Sequence, residues 1–310
     1  MTTYPQLSLY LTTFSAQDPG GWQHVLDRAR AAEAAGFDRL VVPDHVVFGE
    51  RLEEYARPEV GGAVGGQQPT GPDGYWLEPL TVLSVVAGVT SQIRLGTNII
   101  IAALRRPVVL AKTLSTLDVL SNGRVDLGVG VGWQREEYEA AGLEFEGRGR
   151  LLDHTLEVCQ TLWREPVAAF DSPLLRFEKI HMMPKPRQPG GVPIWVSGTV
   201  NKNVIRRVAR FGSGWIPWGP ARVDVKTGIV QMREGLAALG RDPSTLEIVG
   251  VLPIAENQHG AIDFARTMQQ VPELTAAGVT DFRLNTNIPD GASAATDFLT
   301  AMAEAFRSAR

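Results

Sequence analysis

The sequence predicts an α/β fold, a (β/α)8 (TIM) barrel with insertion segments at its C-terminal face, and three observations carry that prediction. The first is a βαβ unit between Ile93 and Tyr138 with almost nothing spare. Its apolar, β-branched-rich runs at 93–101 and 125–130 read as strands buried on both faces, and such strands belong to parallel sheets. The second is the alternation of eight strands with helices along 310 residues, without a composition shift between the halves. The third is that no G-x-G-x-x-G follows the first strand, which leaves a doubly wound dinucleotide fold unsupported.

Each element has its own local reason. Strand one is 7–14, where apolar residues alternate. The helix at 20–35 sets Trp22, Val25, Leu26 and Ala29 on successive turns and ends at Gly36. Strand two, 39–42, closes on Pro43-Asp44-His45. The segment 46–74 is glycine-rich, carries Pro58, Pro69 and Pro72, and has no sustained period. A structureless loop of that length in a compact domain is functional or disordered, and its emergence at a strand end reads as a lid. A helix at 80–89 returns the chain to strand three, 93–101. Arg106-Pro107 opens the next helix with proline in the first turn, where a missing N–H costs nothing. Leu110, Leu114, Leu117 and Leu120 follow at helical spacing, and Asn122-Gly123 supplies the left-handed exit.

Strand four is 125–130. Helices at 136–141 and 150–163 follow, then an irregular excursion at 164–191 that carries Pro166, Pro173, Pro184, Pro186 and Pro189. The remaining strands are 194–196, 215–216, 246–252 and 281–284. The remaining helices are 201–211, 223–239, 262–277 with a break at Pro272, and 292–307. The expected organisation is one domain, 1–310, interrupted by the insertions 46–74 and 164–191.

Composition narrows the function classes. Thirty basic residues against thirty-four acidic ones give a net charge of -4, and no basic cluster is long enough to suggest nucleic acid. The N-terminal stretch lacks a basic n-region and no window approaches a membrane span, so a soluble cytoplasmic protein is expected. Cys159 is the single cysteine, so neither an internal disulfide nor a cysteine metal cluster can form. It shares an apolar helical pattern with Leu151, Leu152, Leu156 and Leu162 and reads as a core thiol. The histidines show no metal-ligand spacing, and no metal site is expected.

Barrels of this kind carry their chemistry at the C-terminal strand ends. Among titratable groups there, Asp44 and His45 stand out. An imidazole can take and return a proton near neutral pH, and a neighbouring carboxylate could orient it. Adjacent residues of a strand point to opposite faces, so the two need not touch, and a structural histidine remains the alternative. Gly128, Gly130 and Gly132 share one side of strand four. Either something flat lies against this bare face, or a crowded barrel interior leaves no room for side chains. Ser197-Gly198-Thr199 with Asn201 sits where a buried strand meets a helix N-terminus, a place that can hold a phosphate. An ordinary turn capped by Asn201 fits the same residues.

Taken together, PDHVVF, RLGTNIIIAALRRPVVLAKTLSTLDVLSNGRVDLGVGVGWQREEY, PKPRQP, PIWVSGT and RRVARFGSGWIPWG resemble the bacterial-luciferase-like monooxygenase superfamily. The resemblance is greatest to its branch of deazaflavin (coenzyme F420) oxidoreductases. It runs from about Leu7 to Trp218 and weakens beyond. G-x-G-x-G-W followed by Glu137, after S-N-G-R, is specific only as a combination.

The resemblance implies a (β/α)8 barrel with an isoalloxazine-like ring in its C-terminal mouth. It implies that His45 is the acid/base, with Asp44 beside it. It places a non-prolyl cis peptide at Asn98-Ile99 against the ring, Thr97 and Asn98 at the ring or its polar edge, and Gly130, Gly132 and Trp133 along its flank. Ser197, Gly198, Thr199 and Asn201 match the phosphate-binding stretch. The activity implied is hydride transfer between coenzyme F420, an 8-hydroxy-5-deazaflavin, and a small organic substrate. The alternative is an FMN-dependent monooxygenase fed by a separate flavin reductase. A homodimer is expected because dimers are common in the superfamily. Two residues depart from the pattern. The superfamily's deazaflavin-dependent sugar-phosphate dehydrogenases have a proton-transferring glutamate where Trp133 stands. Many flavin users have a G-G-S-S-like run where this chain has V-S-G-T.

Overall fold

Eight parallel strands close into a barrel in strict sequence order. The computed structural model describes residues 5–61 and 66–310. Its barrel strands are β1 (Gln6–Tyr10), β2 (Arg39–Val42), β3 (Arg94–Thr97), β4 (Val125–Val129), β5 (Ile194–Gly198), β6 (Gly212–Pro217), β7 (Glu247–Val251) and β8 (Asp281–Leu284). β1 lies between β2 and β8, pairing Leu9 with Leu40 on one side and with Leu284 on the other. Eight helices form the outer layer: α1 (Gln23–Ala35), α2 (Pro79–Val89), α3 (Pro107–Leu120), α4 (Arg148–Arg164), α5 (Lys202–Phe211), α6 (Val225–Ala238), α7 (Val271–Ala277) and α8 (Ala292–Ala309). Among the described residues, no helix is long and apolar enough to cross a membrane.

The helix ends follow the residues that mark them. Gly36 caps α1 at φ 79°, and Pro107 opens α3 in its first turn. Asn201 caps α5 by accepting from the Asn203 and Val204 N–H groups. α8 buries Leu299, Met302 and Phe306, at a contribution of roughly 1.5–3 kcal/mol for each large apolar side chain. It packs on α1, and Arg307 donates to the Ala35 carbonyl at 2.8 Å, tying the end of the chain to its beginning.

Several elements differ from the sequence expectation. The first strand ends at Tyr10, and Phe14–Ser15 instead pairs antiparallel with Tyr75–Trp76 as a small separate sheet. Strand three leaves its ladder after Thr97, shorter than expected, and the Asn98-Ile99 peptide is cis, as the resemblance implied. The chain rejoins β4 only through a bridge from Ile100 to Val129. The insertion 46–74 holds a 3-10 turn, Leu52–Ala56, and a short helix, Pro58–Gly61, with 62–65 outside the described residues. The expected helix at 262–277 is broken into Phe264–Met268 and α7, with Pro272 in the first turn of the second piece.

The second insertion, 164–191, requires a correction. It contains an antiparallel hairpin, Ala168–Asp171 with Arg176–Ile180, rather than irregular chain. It joins α4 to β5, so it runs along the N-terminal side of the barrel, since helix-to-strand connections return there. Gln188 accordingly bonds the Asp118 carboxylate and the Val125 carbonyl, at the start of β4. Of the two insertions, it is 46–74 whose described residues, Tyr55 and Gln67 to Pro69 among them, lie at the C-terminal face.

Charge fills the lower barrel interior where aliphatic layers are usual. Arg39 of β2 pairs with Asp126 of β4 at 2.8 Å and with Asp281 of β8 at 3.0 Å. These strands are not neighbours, so the contacts run through the barrel axis. Arg94 adds a bidentate pair to Asp126 at 2.6 Å, and Arg283 pairs with Asp281 at 2.9 Å. Both buried guanidiniums lie over the Trp195 ring, Arg39 at 4.7 Å and Arg283 at 5.5 Å from its centroid. Burial works against the Asp126 carboxylate, yet Arg39 and Arg94 outweigh it and lower its pKa. The same pairing raises Arg39 against its own burial.

Candidate active site

A cavity of about 860 Å³ opens at the C-terminal ends of the strands, within the size range of cofactor and ligand pockets. Its floor is set by β3 and β4. Gly128, Gly130 and Gly132 make room for the segment that follows β3: a Cβ on Gly128 would sit on the Thr97 carbonyl, and one on Gly130 would come 2.8 Å from the Ile99 side chain. Of the two readings open for this glycine face, crowding inside the barrel explains Gly128 and Gly130. The segment they accommodate then presents Asn98, Ile99 and Ile101 to the cavity beside Gly130 and Gly132.

His45 stands at the rim after β2 and lines this cavity. Its Nδ1 lies 3.2 Å from Glu137 Oε2, and the other carboxylate oxygen of Glu137 accepts the Val46 N–H at 2.9 Å. The Glu137 side chain is fully shielded and that of His45 is 11% exposed. A carboxylate on Nδ1 holds the proton on that nitrogen and leaves Nε2 as the exchanging site. Glu137 is the main site residue missed by reading the sequence. It comes from the short helix Arg135–Ala140, where Glu137 and Tyr138 are buried while their charged neighbours are not. The signal available in the sequence was the place of Glu137 after G-x-G-x-G-W, in the combination that carries the resemblance.

Asp44 does not partner His45. Its carboxylate takes a bidentate pair from Arg105 at 2.6 and 2.9 Å and the Ile101 N–H at 2.8 Å. This anchors the chain after Ile99, and the expectation that the Asp44 carboxylate could orient His45 is corrected: its partner is Arg105. Thr97 is buried beneath the floor, donating to the Gly128 carbonyl at 2.7 Å, rather than on the cavity wall. Arg283 was also missed: it lines the cavity from β8 and donates to Asn98 Oδ1 at 2.7 Å, joining the interior charge network to the floor. Burial, reinforced by repulsion from Arg39, lowers the Arg283 pKa despite Asp281.

On the far side of the barrel from β2, Ser197 and Gly198 line the wall together with Arg222 and Lys226. Backbone, hydroxyl and cationic groups together suit a phosphate-bearing tail, and a floor of Ile99, Ile101, Gly130 and Gly132 with Asn98 and Arg283 at its polar edge suits a planar heterocycle. A flavin-type coenzyme therefore fits the residues present. Thr199 and Asn201 lie outside the cavity lining, and Asn201 is committed to its capping role.

The barrel thus holds a cavity at its C-terminal mouth with a histidine on its rim, the end at which barrel enzymes carry their chemistry. The profile of the luciferase-like monooxygenase family matches residues 7–259, and the chain belongs to that family. An uncharacterized protein of Mycobacterium tuberculosis is 34% identical over 217 residues, covering 69% of this chain and 74% of that protein. The F420-dependent glucose-6-phosphate dehydrogenase of Segniliparus rotundus is 30% identical over 226 residues, 70% of this chain and 60% of that enzyme. In fold, the chain is similar to an F420-dependent secondary alcohol dehydrogenase solved with an F420-acetone adduct. The TM-score is 0.76 at 18% identity, covering 98% of this chain and 100% of that one.

Proposed function

We propose that the protein transfers a hydride between coenzyme F420 and a small organic substrate, with His45 as the acid/base. The observation that carries this reading is the His45–Glu137 pair at the cavity rim. When bound, the deazaflavin supplies or accepts the hydride. The protein's own residues do the rest. Asn98, Ile99, Gly130 and Gly132 would lie against the ring, and Ser197 and Gly198, with Arg222 and Lys226, would hold its phosphate-bearing tail. His45 Nε2 gives a proton to the substrate oxygen on reduction or takes one from the hydroxyl on oxidation. Glu137 keeps the imidazole oriented and offsets the charge of its protonated form. The deazaflavin is favoured over FMN by the sequence relationship to an F420-dependent dehydrogenase.

The first experiment is titration of the purified protein with F420 and, separately, FMN, followed by intrinsic tryptophan fluorescence. Trp133 lines the cavity, so a bound ring should quench it. Tighter binding of F420 is expected. Preferential binding of FMN would move the reading to an oxygen-activating monooxygenase. With a substrate in hand, His45→Ala is expected to lower turnover by about 10²–10⁴-fold, and unchanged turnover would remove the assigned role.

A further inference from the structure

The walls around His45 bear on what the second substrate can be. Phe14 and Trp76 face each other across the small sheet and stack at 4.3 Å with an 18° interplanar angle. Trp76 meets His45 edge-on at 4.9 Å and 89°. Its indole N–H is held by Thr70 Oγ1 at 2.9 Å, so the ring is fixed as a wall. Trp133 approaches His45 from another side at 6.2 Å and 79°, and Tyr55 of the insertion covers Trp133 at 5.1 Å. Phe14, Tyr55, Trp76 and Trp133 all line the cavity.

Arg222 bears electrostatically on Tyr55, while no cation stacks on Phe14, Trp76 or Trp133 among the described residues. Among the described lining residues, Asp44 is matched by Arg105, and Arg283 lies at the floor with Asp281 and Asn98. Arg222, Asp224 and Lys226 sit on one short segment after β6, the strand across the barrel from β2. The charge nearest the His45 ring is the Glu137 carboxylate, which disfavours an anion. Losing the hydration of a carboxylate or phosphate against aromatic faces without a cation is costly.

We propose that the second substrate is an uncharged, flat molecule, an aryl or conjugated ketone or the corresponding alcohol. It binds between the Phe14–Trp76 stack and Trp133 with its oxygen at His45 Nε2. The proposal rests on the oxidoreductase reading for the role of His45, while the shape and neutrality of the subsite rest on the aromatic walls alone.

Isothermal titration calorimetry separates the two. The protein, with and without F420, is titrated with benzylideneacetone, with cinnamate as its anionic counterpart, and with glucose 6-phosphate. Benzylideneacetone is expected to bind at least about tenfold more tightly than either anion, the factor that 1.4 kcal/mol of unmatched desolvation produces. Trp76→Leu and Phe14→Leu should each weaken it by about fivefold, from lost aromatic contact, with F420 affinity unchanged. Circular dichroism shows whether each variant is folded, and Phe14→Leu carries the test if Trp76→Leu does not fold. Equal or tighter binding of either anion, no binding of the ketone, or ketone affinity unchanged in a folded variant each overturns the proposal. Failure of F420 to bind instead removes the coenzyme reading, and the ketone titration of the protein alone still decides the subsite.

Discussion

Two buried carboxylate sites in this barrel, fewer than a dozen residues apart in sequence, do opposite work. Asp126, low in the interior, is held by the guanidiniums of Arg39 and Arg94, groups that stay protonated. Glu137, at the mouth, faces an imidazole and one backbone N–H. Burial is comparable, so the partner decides the outcome. An arginine locks a carboxylate's charge into the scaffold, whereas a histidine gives it a neighbour whose proton can leave. The lower network crosses the barrel interior, and through Arg283 and Asn98 it reaches the cavity floor.

The contrast is most strongly tested from below. Asp126→Asn leaves Arg39 and Arg94 short of a buried counter-charge and should cost about 3–5 kcal/mol in urea unfolding. The pH dependence follows from the lowered Asp126 pKa. A carboxylate depressed in the folded state stabilises fully above the ordinary carboxylate range, and that contribution is lost as pH falls through its folded value. The parent protein should lose stability on acidification, and Asp126→Asn should flatten that fall. An unchanged acid limb would show that the network is not what holds the lower barrel.

At the mouth the expected effect moves from stability to turnover. Glu137→Gln preserves size and can still accept from Nδ1, but it removes the charge behind the imidazole. Turnover should drop by about tenfold to 10²-fold, less than removing the imidazole itself, with a midpoint of unfolding near that of the parent. A large loss of stability with turnover per folded molecule retained would make Glu137 a structural residue like Asp126. The smallest effect belongs to Asn201. As the cap of α5, its replacement by alanine should cost about 1 kcal/mol and leave F420 affinity unchanged. A selective loss of affinity would return Asn201 to the phosphate site.

The order of elements was legible in the sequence because it depends on local periodicity and on Pro107, Gly36 and Asn122-Gly123, each of which acts on its own neighbours. His45 was legible because a strand end in a barrel faces the mouth. The bulge at Asn98-Ile99 came from the resemblance, and the structure has the cis peptide there. The partners were not legible. His45 meets Glu137 across 92 residues and Arg39 meets Asp126 across 87, and no local pattern encodes either pairing. Adjacency in extended chain already left open whether Asp44 and His45 touch, and only the fold shows that Asp44 pairs with Arg105.

What the sequence by itself determined is the ring of eight strand–helix units and the strand end on which His45 stands. The tertiary structure alone decided that Glu137 meets the histidine, that Asp44 serves Arg105, that aromatic rings surround the His45 side of the cavity, and that the insertion 164–191 lies at the other end. The reason is physical: periodicity fixes which face of an element is buried, but closing the barrel fixes which buried faces meet.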